Sequence, residues 1–175
     1  MGVPGLIRQL LSKYQETHCS VTDKDSELYE QVTDLFIDFN PIIYNAYAAI
    51  VSDYGNKLNR YSVIEIEQMI IDETISALIG MLDLVQPTHS VYIAIDGPAP
   101  IAKMVQQRNR RHKKIFDQRV ISSIYESHGL KHQSYWNTSN ITPGTEFMEN
   151  LDHAIKMILP ELSQQYGKVT FSGHL

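Results

Sequence analysis

With a single cysteine, Cys19, in 175 residues, the chain can form no internal disulfide and no cysteine-built zinc cluster. No stretch approaches the roughly 18 uninterrupted apolar residues of a membrane span. The opening Met1-Gly2-Val3-Pro4-Gly5-Leu6 has no basic region ahead of a long apolar run. No secretory leader is therefore expected, and the composition fits a soluble protein of the cytoplasm or nucleus. Repeats and low-complexity linkers are missing as well, so one continuous domain over residues 1–175 is the natural count. Overall positive charge is also absent: the formal net charge is −5, which argues against general adhesion to nucleic acid.

The positive charge that is present is concentrated. Lys103, Arg108, Arg110, Arg111, Lys113, Lys114 and Arg119 make up nearly half of the 15 basic residues, and Asp117 is the acid that opposes them within that stretch. A local positive field on an acidic protein points to a defined anionic ligand.

Three short apolar runs read as buried strands: Leu35-Phe36-Ile37 ending in Asp38, Val91 to Ile95 ending in Asp96, and Val169-Thr170-Phe171. Runs of this kind are expected where helices cover both faces of a parallel sheet. Helices are expected from Pro4 to Tyr14, from the Ser62-Val63-Ile64-Glu65 capping box to about Pro87, from Pro98–Ala102 through the basic stretch, and from Thr142-Pro143-Gly144 to about Pro160. Strands alternating with long helices imply a parallel α/β sheet with right-handed crossovers.

In such sheets ligands sit off the carboxyl ends of the strands. Asp38 and Asp96 are placed there, and two carboxylates at adjacent strand ends supply half of a Mg²⁺ site. An aspartate after a strand also serves as an ordinary turn or helix cap. On a helix Lys103, Gln107, Arg110 and Arg111 stand at i, i+4, i+7 and i+8 and share one face, which could hold a phosphate. The same cluster also reads as a solvated basic face or a nuclear-localisation patch. His128 and His132 have metal-ligand spacing, but Gly129 between them breaks the helix that this spacing needs.

Taken together, the Met1–Pro4 start, Leu35–Asn40, Ala94–Pro100, Ala102–Arg111 and Ile141–Met148 resemble the beginning of the Xrn 5′-to-3′ exoribonucleases. Flap endonucleases share the start and both aspartates, but not the Gln-Gln-Arg-x-Arg-Arg run or the Thr-Pro-Gly-Thr-Glu-Phe-Met segment. The resemblance implies a PIN-like, FEN-like Rossmannoid α/β fold with a parallel central sheet flanked by helices. It also implies stepwise, Mg²⁺-dependent hydrolysis (Mn²⁺ as a substitute) of single-stranded RNA bearing a 5′-monophosphate to nucleoside monophosphates. Asp38 and Asp96 match acidic catalytic and metal positions, and Lys103, Gln107, Arg110 and Arg111 match the 5′-phosphate pocket. Pro41 and Tyr44 stand where the family has glycine and a base-stacking histidine, so Tyr44 is expected to stack on the first base. The family continues beyond this point into a Pro-Gly-Glu-Gly-Glu-His-Lys-like motif and further acidic residues. The 175-residue chain alone is therefore expected to be inactive and to need the rest of the nuclease domain or another chain. Two alternatives stand beside that reading: a catalytically inactive module that binds RNA 5′ ends or a partner, and a flap-endonuclease-like DNase.

Overall fold

The computed structural model describes residues 5–14, 31–97, 100–129 and 136–173. The elements run α1 (Leu6–Lys13), β1 (Asp34–Asp38), α2 (Asn40–Tyr54), α3 (Val63–Val85), β2 (Ser90–Ala94), α4 (Ile101–Ser127), α5 (Glu146–Tyr166) and β3 (Lys168–Phe171). Short 3₁₀ turns at Gly55–Arg60 and Thr138–Asn140 join them. Among the described residues no helix is long and apolar enough to cross a membrane.

The three strands are parallel in the order β1-β2-β3, with Phe36 opposite Tyr92 and Tyr92 opposite Thr170. The sheet is thus flanked by helices in a mixed α/β arrangement, as expected. Because side chains alternate along a strand, Ile37, Val91 and Ile93 face a core shared with Ile43, Ile66, Ile70, Leu78 and Leu82 of α2 and α3 and Phe147, Leu151 and Ile155 of α5.

The other face differs from the expectation of helices on both sides. Phe36 is 75% exposed and its cross-strand partner Tyr92 39% exposed, while α1 and α4 carry no buried residue among those described. A short apolar run does not by itself tell whether one face or both is covered, because β-branched and aromatic residues suit either situation.

The capping box forms as expected. The Glu65 amide donates to Ser62 Oγ at 3.3 Å, and the Glu65 carboxylate accepts the Ser62 amide at 2.7 Å. The Ser62 amide first, and then the Ser62 hydroxyl donating at 2.8 Å, hold the Glu65 carboxyl below its ordinary value. The helix then runs to Val85 and ends at Gln86, in the left-handed region at φ 49°, just before Pro87. Two features depart from expectation. Helix α2 has no counterpart among the helices expected from the sequence, and α5 passes through Pro160 to Tyr166 instead of ending there. In α2 Pro41 occupies the first turn, where its missing N–H costs nothing. In α5 Pro160 removes one main-chain bond, and packing of Ile155 and Leu162 on either side of it holds the helix together.

Met1–Pro4, Cys19, Pro98–Ala99, His132 and His174–Leu175 lie outside the described residues, as do the side chains of Gln107, Arg110 and Arg111.

Candidate functional site

Asp38 is the last residue of β1, and Asp96 follows β2 by two residues. Their strands are hydrogen-bonded neighbours, and neighbouring strands lie about 4.8 Å apart. Alternation turns Ile37 and Ile95 into the core and leaves Asp38 and Asp96 exposed on the opposite, open face. Both carboxylates line one open concavity of ≈ 520 Å³ together with Phe36, Tyr92 and Ala94. The Phe36 and Tyr92 rings lie 6.3 Å apart, centroid to centroid, and form its apolar floor.

The junction from β1 to α2 fixes the relation between the two strand ends. The Phe39 amide donates to the Ala94 carbonyl at 2.8 Å, and the Asp96 amide donates to Asn40 Oδ1 at 2.8 Å. The side chain of Phe39 is fully buried and Asn40 is 7% exposed, so the junction is anchored in the core. Asn40 lies within one of the recognised motifs, yet the sequence offers no signal for this contact, which joins residues 56 positions apart.

Tyr44, one turn along α2, is brought to the same place. Its phenol is held above its ordinary value by partial burial first and by the negative charge of Asp96 second. Tyr44 is 44% exposed.

Helix α4 starts at Ile101, shortly after Asp96, and carries Lys103, Gln107, Arg110 and Arg111 on continuous helical backbone. The spacing i, i+4, i+7, i+8 therefore does place them along one side. Lys103 is exposed. His128 caps the C-terminal end of this helix, its Nδ1 2.8 Å from the Ile124 carbonyl, and Gly129 follows at φ 69°.

A larger groove of ≈ 1160 Å³ lies between α3 and α5 and contains Glu67 and Asp152. These acids are already engaged. Glu67 accepts the Trp136 indole N–H at 2.9 Å and an Asn140 amide proton at 3.2 Å, while Asp152 pairs with Lys156 at 2.5 Å.

Two exposed carboxylate groups match the hard oxygen donors that Mg²⁺ or Mn²⁺ takes, but they fill only part of a coordination shell of six or so. Among the described residues no group of three or more His, Cys, Asp or Glu is gathered closely enough to hold a metal ion. The donor set fits such a cation as one portion of its site.

Known proteins place the chain. The family model of the XRN 5′-3′ exonuclease N-terminus matches residues 1–174. The chain is similar to 5′-3′ exoribonuclease 1 of Homo sapiens, at 29% identity over 182 residues that cover 99% of this chain and 10% of the relative. It is also similar to 5′-3′ exoribonuclease 1 of Schizosaccharomyces pombe, at 28% identity, covering 99% of this chain and 13% of the relative. The enzyme of the same name from Saccharomyces cerevisiae is 24% identical, again over 99% of this chain and 11% of the relative. The chain thus spans about a tenth of the length of these curated relatives. With a match from end to end, it belongs to the XRN 5′-3′ exonuclease N-terminal family.

Proposed function

We propose that this chain is the front portion of a Mg²⁺-dependent 5′-to-3′ exoribonuclease that removes nucleoside monophosphates from RNA with a 5′-monophosphate. The observation that carries the reading is the shared concavity at the strand ends, lined by Asp38 and Asp96, with the Tyr44 phenol close enough to feel the charge of Asp96.

Asp38 and Asp96 would hold the cation, with Mn²⁺ a substitute. Bound there, the metal supplies activation of water and stabilisation of the leaving oxygen. Lys103, Gln107, Arg110 and Arg111 would take the terminal phosphate on one side of α4. Arginine offers paired planar donors, lysine a point charge, and glutamine a neutral donor. Tyr44 would stack on the first base, holding the first nucleotide with its phosphate toward α4.

The carboxylates present support a second, narrower reading for this polypeptide taken alone. Two carboxylates leave most metal positions to water, so the isolated chain is a 5′-end-binding module that needs further acidic residues, from the same protein or a partner, for turnover. A structure-specific DNase remains the third reading, and a single-stranded DNA arm in the assay separates it.

The deciding experiment is a binding titration of the chain against the same RNA ended in 5′-monophosphate or 5′-hydroxyl. A monophosphate carries nearly two charges at neutral pH, so the phosphorylated end is expected to bind roughly tenfold or more tightly, a difference of at least about 1.4 kcal/mol. Salt should narrow the gap. Lys103→Ala and Arg110→Ala should weaken the phosphorylated RNA selectively. Equal weakening of both RNAs would leave a merely solvated basic face. Incubation with Mg²⁺ should release little mononucleotide, and processive release abolished by Asp96→Ala would overturn the narrower reading.

A further inference from the structure

Beyond the last ladder residue, Ala94, the chain that carries Asp96 is held by two side chains from different elements. Successive N–H groups of an extended segment point to opposite sides, so Ile95 donates toward β3 and Asp96 toward β1. Ser172, just past β3, accepts the Ile95 amide at Oγ at 3.0 Å. Its own hydroxyl proton goes to the Gly173 carbonyl at 3.2 Å, and its amide donates to the Ile93 carbonyl at 3.0 Å. On the other side Asn40 Oδ1 takes the Asp96 amide at 2.8 Å.

We infer that Asn40 and Ser172 are positioning residues that set the Asp96 carboxylate against Asp38. This rests on the proposal that the two carboxylates share a divalent cation.

Three features of the strand ends support this. Asn40 lies at the start of α2, yet that helix end has no side-chain cap; the asparagine's oxygen is turned to the neighbouring strand instead of its own helix. With Asn40 7% exposed, that oxygen sits where a lost hydrogen bond is poorly replaced by water. Gly97 follows Asp96 directly, and no atom lies within 4 Å of where its Cβ would stand, so none of the described residues packs against that point of the segment. The bond from Asn40, reinforced by Phe39 to Ala94, ties the residue that bears one carboxylate to the junction that follows the other. An uncharged acceptor performs this without adding a third negative charge beside Asp38 and Asp96.

The test uses the ¹⁵N-labelled chain and two readouts: amide hydrogen exchange at Ile95 and Asp96, and the Mn²⁺ concentration that half-broadens the Asp38 and Asp96 amide signals. Thermal midpoints are measured beside them. In Asn40→Ala the Asp96 amide is expected to exchange at least roughly tenfold faster, and the Mn²⁺ midpoint to rise about tenfold, the usual range for losing an outer partner of a metal ligand. In Asn40→Asp, which keeps an acceptor but adds a negative charge, the Asp96 amide should return to about the wild-type exchange rate. Ser172→Ala should speed Ile95 exchange and raise the Mn²⁺ midpoint less. Unchanged Asp96 exchange in a folded Asn40→Ala overturns the inference, as does faster exchange with an unmoved Mn²⁺ midpoint. If Asn40→Ala does not fold, Asn40→Asp decides: retained Asp96 protection supports the inference, and its loss overturns it. If Mn²⁺ broadens neither carboxylate region in the wild type, the shared-cation reading fails, and the exchange data still decide whether Asn40 holds Asp96.

Discussion

Gly167 joins α5 to β3 at φ 81° and ψ −153°, a conformation open in practice only to glycine. A Cβ built there would stand 2.8 Å from the His89 carbonyl oxygen and 3.4 Å from its carbon. That carbonyl accepts the Lys168 amide at 3.2 Å, the first bond that sets β3 beside β2. The obstacle is backbone, so no side-chain rotation relieves it. In Gly167→Ala the dihedral strain costs about 1–3 kcal/mol, and the steric displacement a further 1–3 kcal/mol or so. A total of about 2–6 kcal/mol corresponds, for a chain of this size, to a fall in thermal midpoint of roughly 4–24 °C. Urea denaturation followed by circular dichroism should show a lower midpoint with an unchanged slope. The amide of Lys168 should lose protection first. A loss under about 1 kcal/mol would show that the β3 turn relaxes freely and refute the steric argument.

The opposite sign is expected for Gly80→Ala. Gly80 is exposed within α3 with nothing within 4 Å of an added Cβ, so the variant should gain about 0.5–1 kcal/mol in the same denaturation assay. Replacing Glu67 by alanine strips the buried Trp136 indole of its acceptor and should cost about 2 kcal/mol, with Glu67→Gln milder; Trp136, the chain's one tryptophan, reports the change by fluorescence. Asp34 is drawn down to about 2, chiefly by hydrogen bonds from Ser90 and then His89. A carboxyl lowered in the folded state adds stability above its ordinary value near 3.8 that is lost as pH falls toward about 2. Thermal unfolding between pH 5 and about 2 should therefore show a shallower acid slope in Asp34→Asn than in the wild type.

Much of this fold is carried by local chemistry. The runs ending in Asp38 and Asp96 are strands because short apolar stretches of β-favouring residues have no better arrangement. The Ser62–Glu65 box starts α3 because its two side chains satisfy amides that the helix itself leaves open. The spacing of Lys103, Gln107, Arg110 and Arg111 needed only a continuous helix, and α4 provides it. Helix α2 was harder to read. After Asn40-Pro41 its residues are apolar on most sides (Ile42, Ile43, Ala46, Ala48, Ala49, Ile50), so no polar stripe marks the helical period.

Other features depend on which distant segments meet. Whether a strand is covered on one face or two is not written in its own residues, and the exposed Phe36 and Tyr92 follow from where α2, α3 and α5 pack. That Tyr44 feels the charge of Asp96, that Glu67 takes the Trp136 indole, and that Asn40 holds the Asp96 amide all require β1 and β2 to pair in one particular register. Periodicity, caps and charge clusters act over a turn or two of chain, and the sequence alone determined those. A one-residue slip in strand pairing would invert every inward and outward side chain; only the tertiary structure, by burying Ile37, Val91 and Ile93 together, decided that the two carboxylates share an open face.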